Sequence, residues 1–313
     1  MCGTERDTLS AMRIATWNVN SLKARMEKVE WWLERAKPDI LLLQETKLAD
    51  HDAPVMAFSM AGYDFAHHGE GRWNGVAIAA RRGVGIDGVV TNFGLGGVRD
   101  SAAGASTAYG EEDFDPFDEA RMISAICGGV RVASIYAPNG RVVGSPFYAG
   151  KLNWYSRLAQ WLNESADPGE DLVIGGDFNL APTDDDVWDP AAVHGGTHVS
   201  VAERTAFGKL LGWGLVDGYR AVRPETGRFS WWDYRAGNFH KNLGMRIDHL
   251  LVTEPLVGRI VAAEIDREAR KGKPVPSDHA PVFIDLDEEG LALDAGWESA
   301  GERIAARGGL NPG

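Results

Sequence analysis

Apolar residues in this chain fall into short runs separated by turns, and the runs switch between two periods. Residues 12–17 alternate apolar and polar positions as a strand does, and Asn18-Val19-Asn20-Ser21 follows as a turn. Ser21 is placed to cap a helix. From there Leu22, Met26, Val29, Leu33 and Ala36 recur at steps of three and four, which predicts a helix to about Lys37. Pro38-Asp39 breaks it, and residues 40–43 read as a fully buried strand ending at Gln44-Glu45. Strand, helix, strand in this order predicts a parallel pair with a right-handed crossover, with polar residues at the carboxyl ends where open α/β sheets keep their ligands. Further strands are predicted over residues 76–80, 123–127, 130–136, 172–174, 228–234, 246–253 and 282–286, and helices over 147–161 and 201–211. The strand at 172–174 is expected to end at Gly175-Gly176.

No linker-like break interrupts this series, so a single α/β domain is expected over residues 12–286. Residues 1–11 read as a disordered extension and 287–313 as a disordered tail, in which Trp297 finds no explanation. The stretch 94–118, rich in Gly, Ser, Ala and acids, has the composition of a flexible surface loop. No repeat of fixed period is visible. Composition changes this picture little: 44% hydrophobic and 25% charged residues suit a soluble protein with a real core. No apolar run approaches the roughly 18 residues of a membrane span, so no membrane partner is expected, and the first residues lack the pattern of a signal peptide. Cys2 and Cys127 are too differently placed to suggest a bridge, which fits a reducing cytoplasm.

Charge does change the picture. The formal net charge is −13, whereas a nucleic-acid binder is expected to carry a basic footprint. The acid is unevenly spread, however. Residues 94–120 hold seven acidic residues against Arg99 alone, and the tail adds six more before Arg303. Local patches decide binding, so a nucleic-acid partner is disfavoured by the total without being excluded.

Two strings carry the candidate chemistry. In Gly175-Gly176-Asp177-Phe178-Asn179, Asp177 and Asn179 are two apart and would share one side of an extended backbone. In Ser277-Asp278-His279-Ala280-Pro281, a turn-prone pair precedes a histidine, and Pro281 stops a helix from starting. A carboxylate, an amide and an imidazole are thus offered at strand ends, as needed to hold a water and a divalent cation against a phosphodiester. Mg²⁺ wants few protein carboxylates, several waters and a phosphate oxygen. Glu45, at the same sheet edge as Asn18, is the best candidate ligand. If Ile247 is core, Asp248 looks toward the site, where it would orient His279 by accepting an imidazole N–H. His249 reads as a solvated or packed neighbour.

Taken together, the chain resembles the exonuclease III family of bacterial DNA-repair nucleases, within the endonuclease/exonuclease/phosphatase superfamily. The likeness runs from Met12 to about Leu286. It rests on Trp17-Asn18-Val19-Asn20-Ser21, Leu43-Gln44-Glu45-Thr46-Lys47, Tyr136-Ala137-Pro138-Asn139-Gly140, Phe229-Ser230-Trp231-Trp232-Asp233-Tyr234 and Gly244-Met245-Arg246-Ile247-Asp248, besides the two strings above. The resemblance implies a four-layer α/β sandwich, two packed mixed sheets flanked by helices. It implies a metal-dependent enzyme that cuts 5′ to an abasic site in duplex DNA, with 3′–5′ exonuclease and 3′-phosphatase activity. Mg²⁺ is the expected cofactor, or Mn²⁺ in its place, and the expected state is a monomer.

Residue by residue, the resemblance implies a metal site drawn from Asn18, Glu45, Asp177, Asn179, Asp278 and His279. Tyr136 would touch the scissile phosphate, and Asp177, helped by Asn179, would orient and deprotonate the attacking water. Asp248 would pair with His279, which stabilises charge on the phosphate; whether Asp177 or His279 is the base stays open. Trp231 and Met245 match the lining of a pocket for a flipped-out abasic sugar. Arg72-Trp73-Asn74 fits a loop that enters the minor groove. Lys23, Arg25, Asn139, Arg141, Tyr148 and Lys151 are candidate contacts to the DNA backbone. Asn139 stands where some relatives have Gln, a shorter amide. Two rivals compete: a superfamily phosphatase or lipid phosphodiesterase, and a non-catalytic DNA-binding member. The narrower pocket strings disfavour the first, and the intact catalytic positions disfavour the second.

Overall fold

The computed structural model describes residues 11–94 and 116–298. Among them, twelve strands build two six-stranded sheets: β1 Met12–Asn18, β2 Ile40–Gln44, β3 Tyr63–His68, β4 Val76–Arg81, β5 Asp87–Thr91, β6 Met122–Cys127, β7 Val130–Tyr136, β8 Leu172–Asp177, β9 Leu215–Asp217, β10 Asp248–Thr253, β11 Ile260–Ile265 and β12 Val282–Leu286. One sheet is ordered β11-β12-β1-β2-β4-β3 and the other β5-β6-β7-β8-β10-β9. Each holds one parallel pair near its centre, β1 with β2 and β7 with β8, and the other pairings are antiparallel. The predicted parallel pair is therefore present, and the arrangement occurs twice without any repeat in the sequence.

Both faces of the central strands are buried, which explains their near-continuous apolar runs. In β1 and β2, Ile14, Ile40 and Leu42 enter the core between the sheets, whereas Ala15, Trp17, Leu41 and Leu43 pack under the first helix. That helix, Leu22–Ala36, contributes Leu22, Val29, Trp32, Leu33 and Ala36 to the same layer and ends where Lys37 turns left-handed. On the far side, the helices Pro146–Ser165 and Val201–Trp213 cover the second sheet through Trp154, Leu158, Trp161, Phe207 and Leu210. Helix, sheet, sheet, helix is the four-layer α/β sandwich. The parallel pairs bring Asn18 beside Gln44, and Tyr136 beside Asp177, at their carboxyl ends. Asp248, first residue of β10, is in register with Asp177. All of the candidate chemistry collects at this one edge.

Four expectations need correction. β8 runs through Gly175 and Gly176 to Asp177. These glycines are there for close approach: a Cβ on Gly175 would lie 2.6 Å from Leu42 and Leu250, and one on Gly176 would lie 1.9 Å from the Ile135 carbonyl. Ser21 makes no side-chain cap to the first helix; its backbone N–H donates to Glu45 O at 2.7 Å. Residues 228–234 form no strand, only bridges from Trp231 to Met245 and His279. The chain beyond Leu286 stays on the body as far as it is described. Trp297 donates from Nε1 to Ile265 O at 2.8 Å and packs on Trp232. Residues 1–10 and 299–313 lie outside the described residues, as does most of the acidic stretch, 95–115. Among the described residues no helix is long and apolar enough to cross a membrane.

Candidate active site

Asn18 is fully buried at the end of β1 and joins the two sheets. Its Nδ2 donates to Glu45 Oε1 at 2.8 Å and to Asp177 Oδ2 at 2.9 Å. Glu45 follows β2 with a left-handed backbone, φ 50°, and its other oxygen meets Lys47 Nζ at 2.8 Å. Asp177 Oδ1 accepts the Asn179 N–H at 2.8 Å. The convergence of these two side chains therefore comes from a tight turn, with Asn179 at φ 49°, and not from an extended backbone. Asn179 Nδ2 donates to Ala137 O at 2.9 Å, and its Oδ1 accepts from Asn139 Nδ2 at 3.0 Å. The amide expected near the phosphate is thus tied to the turn that holds Asp177.

His279 stands opposite. Its Nδ1 donates to Asp248 Oδ2 at 2.8 Å, and its Nε2 lies 3.8 Å from Asp177 Oδ2. The same Asp248 oxygen accepts from Ser230 Oγ at 2.6 Å, and Ser230 in turn accepts the Ile247 and Asp248 N–H groups at 3.1 Å each. Trp17 Nε1 holds the His279 carbonyl at 3.1 Å. Asp278 belongs to the outer wall: Asn20 Nδ2 reaches its Oδ1 at 2.9 Å and Trp231 Nε1 its Oδ2 at 3.1 Å.

The electrostatics follow from this crowding. Burial drives the Asp177 carboxyl up, His279 opposes it, and the Asp248 and Glu45 charges add to the rise, leaving it at about 7. Burial alone would lower the His279 imidazolium, but Asp248 and then Asp177 outweigh it and hold it at about 10. Burial, and then the Glu45 charge, push the Tyr136 hydroxyl well above its ordinary value, while Arg121 sits over its ring at 4.9 Å. Glu45, Asp177 and His279 bring ligand atoms within 4.8 Å of one another. Two carboxylates so close, with an amide joining them, fit a hard divalent cation. With Nδ1 given to Asp248, the His279 atom that faces this group is Nε2.

The other predicted residues divide. Trp231 and Met245 exchange backbone hydrogen bonds at 2.9 and 3.0 Å and share a small apolar cluster with Ile247 and Val187, so they form one wall beside Asp278. Arg72, Trp73, Arg141, Asn139 and Lys23 are exposed, and Arg72 stacks on Trp73. Three expected DNA contacts face inward instead. Lys151 is fully buried, paired with Glu203, and donates to Asn179 O at 2.6 Å. Tyr148 is buried with its hydroxyl 2.6 Å from Ser200 Oγ. Asn74 is buried at φ 56°, and its carbonyl accepts the Lys47 N–H at 3.0 Å. His249 is a packed neighbour, its ring between Arg246 and Leu180 O. Sequence reasoning gave no role to Asn20, Lys47 or Ser230, although each lies in a string that carried the resemblance. No periodicity marks them, because all three act from turns.

Comparison with known proteins agrees with this geometry. The profile of the Endonuclease/Exonuclease/phosphatase family matches residues 15–279. Exodeoxyribonuclease III of Haemophilus influenzae is 31% identical over 289 residues, covering 88% of this chain and 100% of that protein. An AP endonuclease structure from Archaeoglobus fulgidus superposes with a TM-score of 0.79 at 33% identity, over 88% of this chain and 100% of that one. A 3′ phosphatase from Neisseria, bound to a product DNA hairpin, gives 0.78 at 36% identity, with the same coverage.

Proposed function

We propose that this chain, which belongs to the endonuclease/exonuclease/phosphatase family and within it resembles exodeoxyribonuclease III, is a metal-dependent DNA-repair phosphodiesterase. It cuts duplex DNA 5′ to an abasic site and trims or dephosphorylates 3′ ends, as a cytoplasmic monomer. The observation that carries this reading is one buried His–Asp pair facing a second carboxylate, Asp177, next to the Trp231–Met245 wall. Glu45 and Asp177 would hold Mg²⁺ or Mn²⁺, with Asn18 fixing both carboxylates. When bound, the cation supplies neutralisation of charge on the phosphate oxygens.

The protein's own groups divide the remaining work. His279, protonated and oriented by Asp248, donates from Nε2 to a phosphate oxygen and stabilises its charge. Asp177, kept ionised when the cation is bound and fixed by the Asn179 turn, takes the proton of the attacking water. Tyr136, kept protonated by burial and by Glu45, donates its hydroxyl to the same phosphate. Trp231 and Met245 form an apolar surface suited to a bare deoxyribose.

A labelled duplex with one abasic site, tested with Mg²⁺, with Mn²⁺ and in excess EDTA, decides the matter. Incision 5′ to the lesion that leaves a 3′-hydroxyl and stops in EDTA is expected. Full activity in EDTA, or turnover of an inositol phosphate in place of the duplex, would overturn the reading.

A further inference from the structure

Two arginines converge on one tyrosine at the margin of the site, and among the described residues neither is paired with a carboxylate. Arg25, in the first helix, donates from Nη2 to the Tyr234 hydroxyl at 3.1 Å. Arg270, last residue of the short turn Arg267–Arg270, lies 4.8 Å from the centre of the same ring and donates from Nη2 to Trp232 O at 3.1 Å. The tyrosine is itself fixed, because its hydroxyl donates to Pro276 O at 2.7 Å. The Nε atoms of both arginines are buried without a hydrogen-bond partner, and among the described residues neither makes an ion pair.

This is an unusual way to keep a guanidinium. Arg270 is only 7% exposed; the Tyr234 and Phe239 rings, 4.8 and 5.2 Å away, answer its charge in part, but no carboxylate pairs with it among the described residues. Burial pulls its pKa down and the Arg25 charge pulls the same way, while Tyr234 and Asp278 oppose them. Asp278 is the nearby acid, but Asn20 and Trp231 already occupy its oxygens. The still more buried Arg246, by contrast, is paired with both Asp186 and Asp217. Tyr234 is 45% exposed, so a ligand can approach the two guanidiniums from the tyrosine side. The chain here is locally basic, with exposed Lys273 three residues beyond Arg270 in a protein of net charge −13.

We propose that Arg25 and Arg270, held by Tyr234, clamp one backbone phosphate of the DNA, separate from the scissile one. A phosphodiester oxygen pair matches the planar forks of two guanidiniums and supplies the missing counter-charge. Among the described residues neither arginine is hydrogen-bonded to Glu45, Asp177 or His279, and the position of the phosphate along the strand is what a methylphosphonate scan reads. The proposal rests on the reading of the site as a DNA phosphodiesterase.

Duplexes with an abasic site and a single neutral methylphosphonate, scanned along the damaged strand, test it. Dissociation constants are measured in EDTA across a salt series for the wild type, Arg25→Ala and Arg270→Lys. Arg25→Ala should weaken binding roughly tenfold at low salt and flatten the slope of log K against log salt by about 0.9, one phosphate's worth. One methylphosphonate position, outside the cleavage site, should weaken the wild type but add nothing in Arg25→Ala. Arg270→Lys keeps the charge and loses the fork, so it should show part of the same non-additivity at the same position. If the wild type binds no duplex, the DNA reading falls and the clamp with it. If the wild type binds and Arg25→Ala keeps the wild-type slope, with every position additive, the clamp alone is overturned.

Discussion

Arg246 and Asp248 are two residues apart on the approach to β10, yet they enter two clusters of buried charge built on opposite terms. Arg246 donates to Asp186 at 2.8 Å and to Asp217 at 2.7 Å, and Arg220 adds a second cation on Asp186 at 2.6 Å. Every carboxylate oxygen in that cluster is hydrogen-bonded, two acids facing two arginines. Against the upward push of burial, Arg246 and Arg220 hold Asp186 down at about 2, and Arg246 with His249 holds Asp217 lower still. The Asp248 side is unbalanced. Among the described residues the direct ion pairs of Glu45, Asp177 and Asp248 are with Lys47 and His279, Asp278 has none, and Asp248 Oδ1 is buried without a partner. Equal burial with opposite pairing drives one aspartate to about 2 and another to about 7. The balanced cluster is a staple of the fold; the unbalanced one is kept short of positive charge, as a site that takes a cation and a proton must be.

Breaking the unbalanced side at its centre should produce the largest effect. Asp177→Asn keeps the shape and the Asn179 turn but cannot take a proton. Turnover of an abasic duplex should fall by roughly 10²–10⁴ or more, with the thermal midpoint unchanged or raised. A variant with wild-type turnover would make another residue the base.

Breaking the balanced side should do the reverse. Arg246→Met leaves Asp186 and Asp217 buried against too few cations and should cost about 3–5 kcal/mol of stability in denaturant unfolding. Any loss of activity at low temperature should then track the folded fraction. If the variant were fully stable yet inactive, the division between the two clusters would be wrong.

How far sequence reaches follows the same divide. Asn18, Glu45, Asp177, Asp248 and His279 were legible because each sits at the end of an apolar run, where a polar residue has no packing reason to be. Lys151 misled for the opposite reason: its position in the Pro146–Ser165 helix looks like any exposed basic residue, and only Glu203, 52 positions away, explains its burial. β5 escaped notice because all five of its residues are exposed, so it carries no apolar signature. Gly175 and Gly176 read as a turn, since a sequence does not show that Leu42 of the opposing sheet, or Leu250 and the Ile135 carbonyl of the neighbouring strands, come too close for a side chain. Residues 228–234 look like a strand by composition, but their aromatic side chains serve the site and the core from an irregular backbone.

A third test uses pH and metal together. Asp177 is raised from 3.8 to about 7 in the folded state, so it contributes stability that is present below about 4 and lost as pH climbs toward 7. In EDTA the wild type should therefore lose stability over that window, and Asp177→Asn should lose less. Adding Mg²⁺ at pH 7 should recover up to about 2.7 kcal/mol at a hundredfold excess over its dissociation constant, and markedly less in Glu45→Gln. Equal stabilisation of wild type and Glu45→Gln would move the cation away from this edge.

The smallest effect near neutral pH is expected from Asp248→Asn, which acts only through His279. The carboxylate favours the imidazolium, so removing it must lower the pKa that now stands at about 10. Asp177 and Asp278 still raise it, so much of the imidazolium survives at pH 7 and the loss there comes from a loosened ring, roughly tenfold. The signature lies at high pH. His279 is active as the protonated form, so the basic fall of the pH–rate profile should move to lower pH in Asp248→Asn. Stability should move with it: the contribution of a raised histidine is full below about 6.5 and is lost as pH rises toward 10, and in the variant that loss should finish earlier. His279→Ala should be slow throughout, with no such limb. A basic limb that stays in place while the rate falls would mean that Asp248 only supports the fold, and that its pairing with His279 does not set the charge on the phosphate.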